Sequence, residues 1–111
     1  MLWLVLLPYV FTGAGVASNQ LVLIANHGKF PVMMNPRLIA QLPPDADGMI
    51  DEIHCVMTHA TRLNFLADVF FMRGKGVYSV GDALLLAGVS LSVCKFVWFG
   101  LILYRLHNEL V

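Results

Sequence analysis

Residues 83–104 read ALLLAGVSLSVCKFVWFGLILY, a run of 22 residues with a single charge at Lys95. As a helix rising ~1.5 Å per residue, such a run measures roughly 33 Å, enough to cross a hydrocarbon core of about 30 Å. Residues 2–25, LWLVLLPYVFTGAGVASNQLVLIA, form a second run of 24 residues with no charge at all. Its aromatics Trp3 and Tyr9 sit toward the start, where interfacial side chains belong, and Pro8 confines any kink to one end. Core helices of a soluble protein are the minority reading, because both runs are long and nearly free of charge. A cleaved signal peptide is the rival for the first run. Gly15-Val16-Ala17 resembles a cleavage site, but no basic n-region precedes it and apolar residues resume at Leu21.

Composition agrees. Of the 111 residues, 59% are hydrophobic and 13% charged, against roughly 45–50% and about 25% in ordinary globular chains. A small domain lacks the interior to hide that much hydrocarbon. Seven Lys and Arg balance seven Asp and Glu, so no basic stripe points to nucleic acid. The implied fold class is an all-α integral membrane protein, multi-pass in the cell membrane. Transmembrane helices at 2–25 and 83–104 flank a connector, 26–82, with short amphipathic or interfacial helices, and a tail, 105–111, follows.

The polar connector is punctuated by turn signals. Asn26-His27-Gly28-Lys29 ends the first run, with Gly28 able to take a positive φ. Pro36 suits the first position of a short helix through Leu42, and Asp47 can cap another through His59. Residues 63–72, LNFLADVFFM, are apolar but too short to span, and read as a segment lying in or re-entering the interface. Arg73-Gly74-Lys75-Gly76 leads to the second run, where Asp82 is the favoured N-cap and Ser79 the weaker one. Connector cations Lys29, Arg37, Arg62, Arg73 and Lys75 outnumber those of the tail, which places the connector in the cytoplasm.

Three segments carry a family resemblance. Asn26, Gly28, Pro31 and Val32 match an Asn-Gly-Gly-x-Met-Pro-Val-like turn after a transmembrane helix, from which His27 and Phe30 depart. Thr61-Arg62-Leu63 with Asp68-Val69, and Ser79-Val80-Gly81-Asp82 opening the last helix, complete the pattern in the same order and spacing. In these the chain resembles the bacterial membrane proteins of the domain-of-unknown-function family 5317. The resemblance covers nearly all of this chain but only the C-terminal part of a usual member, so the chain looks like a short member or a fragment. It implies membrane residence and carries over no catalytic residue. Asn26, Gly28, Pro31, Thr61, Arg62, Asp68, Gly81 and Asp82 are its candidate positions.

Outside that pattern Lys95 is the most pointed residue. A mid-span charge costs ~2.5–3.5 kcal/mol on insertion scales. Gly88 and Ser92 share its face, and Asn19 and Gln20 offer polar partners in the first run. The face either packs on another helix or lines a wet path; the simpler reading has Lys95 snorkelling along its own stem. Small residues four apart, Gly13 and Ala17, Ala14 and Ser18, and Gly88 and Ser92, permit close helix approach. Asp51, Cys55 and His59 recur every four residues and would share a helix face suited to zinc, but an incidental polar face explains them as well, and no metal or cofactor is assigned. Arg62 and Asp68 read as anchors of the 63–72 segment, with an anion or headgroup contact for Arg62 as the functional alternative. No Gly-x-Ser-x-Gly, His-Glu-x-x-His or phosphate-loop signature is present. The expectation is a non-enzymatic structural or accessory component that packs with other membrane helices, its partners being the bilayer and those helices. A transporter or holin-like pore is the alternative, and a metal or redox sensor a third class.

Overall fold

The computed structural model describes residues 2–74 and 76–111; Met1 and Lys75, the latter counted above among the connector's cations, lie outside the described residues. Two long helices, α1 (Leu2–Ala25) and α3 (Val80–Leu110), pack against each other, and the connector forms a small folded head at one end. The molecule measures 70 × 27 × 19 Å. Since the 31 residues of α3 account for about 46 Å of that length, the head extends the hairpin instead of lying along it.

α1 ends because the chain turns left-handed. His27 (φ 56°) and Gly28 (φ 84°) both take positive φ. The Gly28 N–H donates to Leu23 O at 2.7 Å, and the His27 N–H lies 3.4 Å from Ile24 O, which satisfies the last carbonyls of the helix. The sequence points to Gly28 for this geometry, and the structure adds His27 to it.

At the other end of the connector, Ser79 is the N-cap of α3 and Asp82 occupies the third helical position. The Ser79 hydroxyl accepts from the Asp82 N–H at 3.1 Å, and the Asp82 carboxylate accepts from the Ser79 N–H at 3.0 Å. This reciprocal capping box reverses the expected ranking of the two residues, because only a short hydroxyl at position 79 lets both orphan donors be satisfied at once. α3 therefore starts three residues before the apolar run. It continues to Leu110, since nothing between Arg105 and Leu110 breaks a helix.

The connector corrects the all-α expectation. It contains four short strands: β1 (Phe30–Val32), β2 (His54–Val56), β3 (Phe70–Met72) and β4 (Gly76–Tyr78). β1 and β2 pair in parallel with Pro31 opposite Cys55, and β3 and β4 pair antiparallel with Phe71 opposite Val77. On its other edge β1 is bridged by Asp68: the Asp68 N–H donates to Pro31 O at 3.2 Å, and the Met33 N–H to Asp68 O at 2.9 Å. Pro31 has no N–H to contribute, so its carbonyl carries that contact.

The helix expected from Asp47 to His59 is absent. Asp47 (φ 51°) and Gly48 (φ 75°) make a left-handed turn, and the Asp51 carboxylate captures the N–H groups of Ile53 and His54 at 2.9 and 2.7 Å. Those donors are then lost to helix formation. The Pro36 helix does form, as α2 (Pro36–Ile39), with Asn35 accepting from the Arg37 N–H at 2.9 Å. The apolar 63–72 segment becomes a 3-10 turn, Asn64–Leu66, followed by β3, whose aromatic residues favour extended chain.

Val22, Phe30 and Ala67 form the small core where α1 meets the head, with Leu23, Met57, Leu63 and Leu66 packed around it. Elsewhere both long helices are largely bare. Within their most apolar stretches only 17% of α1 and 6% of α3 is buried.

Candidate functional site

The inner faces of α1 and α3 meet along a seam of small residues. A Cβ added at Gly15 would lie 2.7 Å from Gly81 O and 2.9 Å from Leu85 N. One added at Gly88 would lie 2.9 Å from Thr12 N and 3.1 Å from Pro8 O. The order of these partners makes the helices antiparallel. No side chain fits between the two backbones at these points, so glycine is required by space and not by φ. Gly88 lies in the seam. Gly13 has nothing within 4 Å, so the expected Gly13–Ala17 face is not the one used. Gly15 and Thr12, which four-residue spacing did not single out, are. The signal for Gly15 lay in its two-helix context: glycine facing glycine in antiparallel register.

At the connector end the seam closes with a polar clasp. Asn19 Nδ2 donates to Asp82 Oδ1 at 3.3 Å, and Asn19 Oδ1 accepts from the Ser79 hydroxyl at 2.9 Å. Ser79 is fully buried. The capping box of α3 is thus read by one amide on α1, and each of Asn19, Ser79 and Asp82 satisfies the others. A Cβ at Gly81 would collide with the Asn19 side chain, which ties Gly81 to the same clasp.

A second amide holds the head. Asn26, buried, donates from Nδ2 to Val22 O at 2.9 Å and Arg62 O at 2.8 Å, while its Oδ1 accepts from the Arg62 N–H at 2.7 Å. This two-way pairing with the backbone of one residue fixes the 58–64 loop against the end of α1. Thr61 stiffens that loop. Its hydroxyl donates to Asn64 Oδ1 at 2.7 Å and accepts from the Thr58 N–H at 3.0 Å. Of the family positions, Asn26, Arg62 and Thr61 thus come together at one place, Pro31 and Asp68 pair at the β1 edge, and Gly81 and Asp82 build the clasp.

Asp68 is buried, and its Oδ1 has no hydrogen-bond partner. Burial, reinforced by the charge of Asp82 and opposed by His54, pushes its pKa up from 3.8 to about 6. It makes no ion pair with Arg62. The described ion pair is His54 Nδ1 to Asp51 Oδ2 at 2.7 Å. Hydrogen bonds from the His54 and Ile53 backbone hold Asp51 below the usual carboxylate range. Asp51, Cys55 and His59 fall on a turn, a strand and a loop, so the helical alignment behind the zinc reading does not exist.

Lys95 lies far from the clasp. It is 13 residues beyond Asp82 on α3, about 20 Å along the axis, so it does not meet Asn19. Gln20 is exposed. The Lys95 ammonium instead sits 5.2 Å from the centre of the Tyr9 ring, where the aromatic face attracts a cation. The Ser92 hydroxyl donates back to Gly88 O at 2.9 Å and needs no other partner. Here large side chains hold the helices apart. Leu2, Leu4, Leu7, Leu91, Trp98 and Phe99 line an apolar groove of about 750 Å³ around Lys95.

Two apolar helices of spanning length, clasped at one end by a small polar head, define a helical-hairpin class of protein with too little buried core for an ordinary soluble domain. The chain belongs to a family of unknown function, DUF5317, whose model matches residues 6–94. The match takes in α1 from Leu6 onward, the whole head and the first half of α3, and so includes both amide clasps. No curated protein and no solved structure is significantly similar to the chain.

Proposed function

We propose that this protein is a multi-pass integral protein of the cell membrane and a non-enzymatic, structural or accessory component of a membrane assembly. The observation that carries this is the contrast between the narrow glycine seam and the bare apolar faces around it. Trp3, Phe96 and Leu86 are each more than two-thirds exposed. In water such surface would drive aggregation; in lipid it is available to the bilayer and to further helices. The connector then lies in the cytoplasm with both termini opposite. Nucleic acid has no place in this reading.

The competing reading, a transporter or holin-like pore, draws on Lys95 within the groove. The Tyr9 face gives that charge a partner inside the hairpin, and no acid shares the groove to form a relay.

Membranes carrying the protein, washed with carbonate, should retain it in the pellet. Single cysteines at exposed positions of α3, such as Phe96→Cys, should then give cross-linked dimers or adducts with a partner. A soluble folded monomer would overturn the membrane reading. Retention in the pellet with no cross-link at any outward position would overturn the packing role. Ion flux in proteoliposomes that vanishes in Lys95→Leu would establish the pore instead.

A further inference from the structure

We infer that a pocket between the end of α1 and the 58–64 loop binds a phosphate-type anion through His27, Lys29 and Arg62. The pocket has a volume of about 300 Å³, and these three side chains line it together with Thr61, Asn26 and Cys55. That volume suits a phosphate group with a small attachment, at the lower end of small-molecule sites.

Its charge is one-sided. No Asp or Glu lines the pocket, and no described acid forms an ion pair with Lys29 or Arg62. Cys55 adds no compensating anion. Burial pushes its thiol up, and the opposing pull of Lys29 is the smaller effect, so at neutral pH the sulfur stays protonated. Two cations and an imidazole therefore border a concave space that no described carboxylate balances, the partial negative charge at the end of α1 offsetting them only in part. An anion with several oxygens relieves that repulsion, and the planar fork of Arg62 suits phosphate.

The pocket is also assembled from distant chain segments. His27 and Lys29 follow the C-terminus of α1, where cations complement the helix dipole anyway. That argument does not account for Arg62, which lies 36 residues beyond Asn26 and whose backbone Asn26 fastens on both sides at 2.7 and 2.8 Å. The clamp holds the residue in place while leaving the guanidinium free. Thr61 is held by the same loop, and its hydroxyl is already committed to Asn64, so the charges and not the hydroxyl set the specificity.

Two sources supply this chemistry: soluble phosphate and the phosphate monoester of an acidic lipid. The second rests on the membrane reading above, since the pocket lies at the end of α1 where hydrocarbon would give way to headgroups.

The full chain in dodecyl maltoside micelles, titrated with inorganic phosphate and separately with phosphatidic acid in mixed micelles, separates them. Binding is read by calorimetry and by the ring resonances of His27. Phosphate binding alone, or binding of both, assigns a soluble ligand; binding of phosphatidic acid alone assigns a headgroup. In either case Lys29→Gln/Arg62→Gln should weaken binding at least tenfold with the fold intact by circular dichroism, and Arg105→Gln on the far tail should not change it. If neither probe binds, or if the double variant binds as the wild type does, the site does not exist. Carbonate extraction of the same variants reports separately on membrane residence.

Discussion

The two ends of the helical hairpin are built on opposite principles. Near the connector, Gly15, Gly81 and Gly88 let the backbones touch, and Asn19, Ser79 and Asp82 lock the contact with directed hydrogen bonds. Toward the chain termini, leucines and aromatics line a groove between the helices, and among the described residues the polar contact across it is the undirected attraction of Lys95 for Tyr9. The first end specifies one geometry. The second tolerates several and leaves apolar surface for something else to cover. A hairpin built this way has a fixed hinge end and an adaptable end, the one that the proposed packing role would use.

The sharpest way to break that contrast is to fill the seam. In Gly81→Leu the new Cβ would lie 2.8 Å from Gly15 O and overlap the Asn19 side chain. Neither helix can yield without losing the clasp, so the cost is expected at the upper end of overpacking, about 3 kcal/mol or more. Gly100→Leu, where nothing lies within 4 Å, should be nearly neutral. Equilibrium unfolding in mixed micelles measures both, and similar losses at the two positions would erase the distinction between the ends.

Asn26→Ala comes next. It removes two donated bonds and one accepted bond and leaves the Arg62 N–H unpaired at a partly buried position. The expected loss is about 2–3 kcal/mol, confined to the head. Amide exchange should speed up in residues 58–64, while the seam around Gly88 keeps its protection. Asn26→Asp, which turns a carboxylate oxygen toward the Val22 and Arg62 carbonyls and buries a charge at the helix C-terminus, should lose at least as much. Exchange that rises equally along α3 would mean the head and the seam are one cooperative unit.

The helices were legible because hydrophobic length and absence of charge are properties of a contiguous stretch. The clasps were legible only as residues. Asn26, Arg62, Gly81 and Asp82 could be marked, but which groups they would bind depends on partners 36 to 63 positions away. The sequence favours Asp82 over Ser79 because Asp82 is a good cap in isolation; the hydroxyl of Ser79 wins only when both donors are counted. A capping Asp47 followed by the Asp51, Cys55 and His59 recurrence reads as a helix. Two local captures defeat that reading: Asp51 taking its own backbone donors, and the left-handed turn at Asp47 and Gly48. Gly15 was overlooked because a seam is a relation between two helices, and spacing along one of them says little about it.

The smallest expected effect concerns how firmly the head closes onto the hinge end, and it depends on pH. Asp68 joins β1 through its backbone while its buried carboxyl faces the charge of Asp82 on α3 and of His54 on β2. Its folded pKa of about 6 lies above the ordinary 3.8. Between these values the folded state binds more protons than the unfolded one, so stability falls as pH rises through that window and then levels off. The shift sets a ceiling of about 3 kcal/mol. Relaxation of the head and solvent screening reduce this to about 1–2 kcal/mol. After correction for intrinsic exchange, the Met33 and Asp68 amides should be roughly tenfold better protected at pH 4.5 than at pH 7.5. In Asp68→Asn, which keeps the shape and cannot ionise, that difference should disappear, with protection at neutral pH rising toward the acid value. Amides of residues 96–103, at the adaptable end, should show no such difference in either protein. A pH dependence that survives in Asp68→Asn would assign it to another group, and one of opposite sign would mean that the carboxylate is stabilised where it is buried.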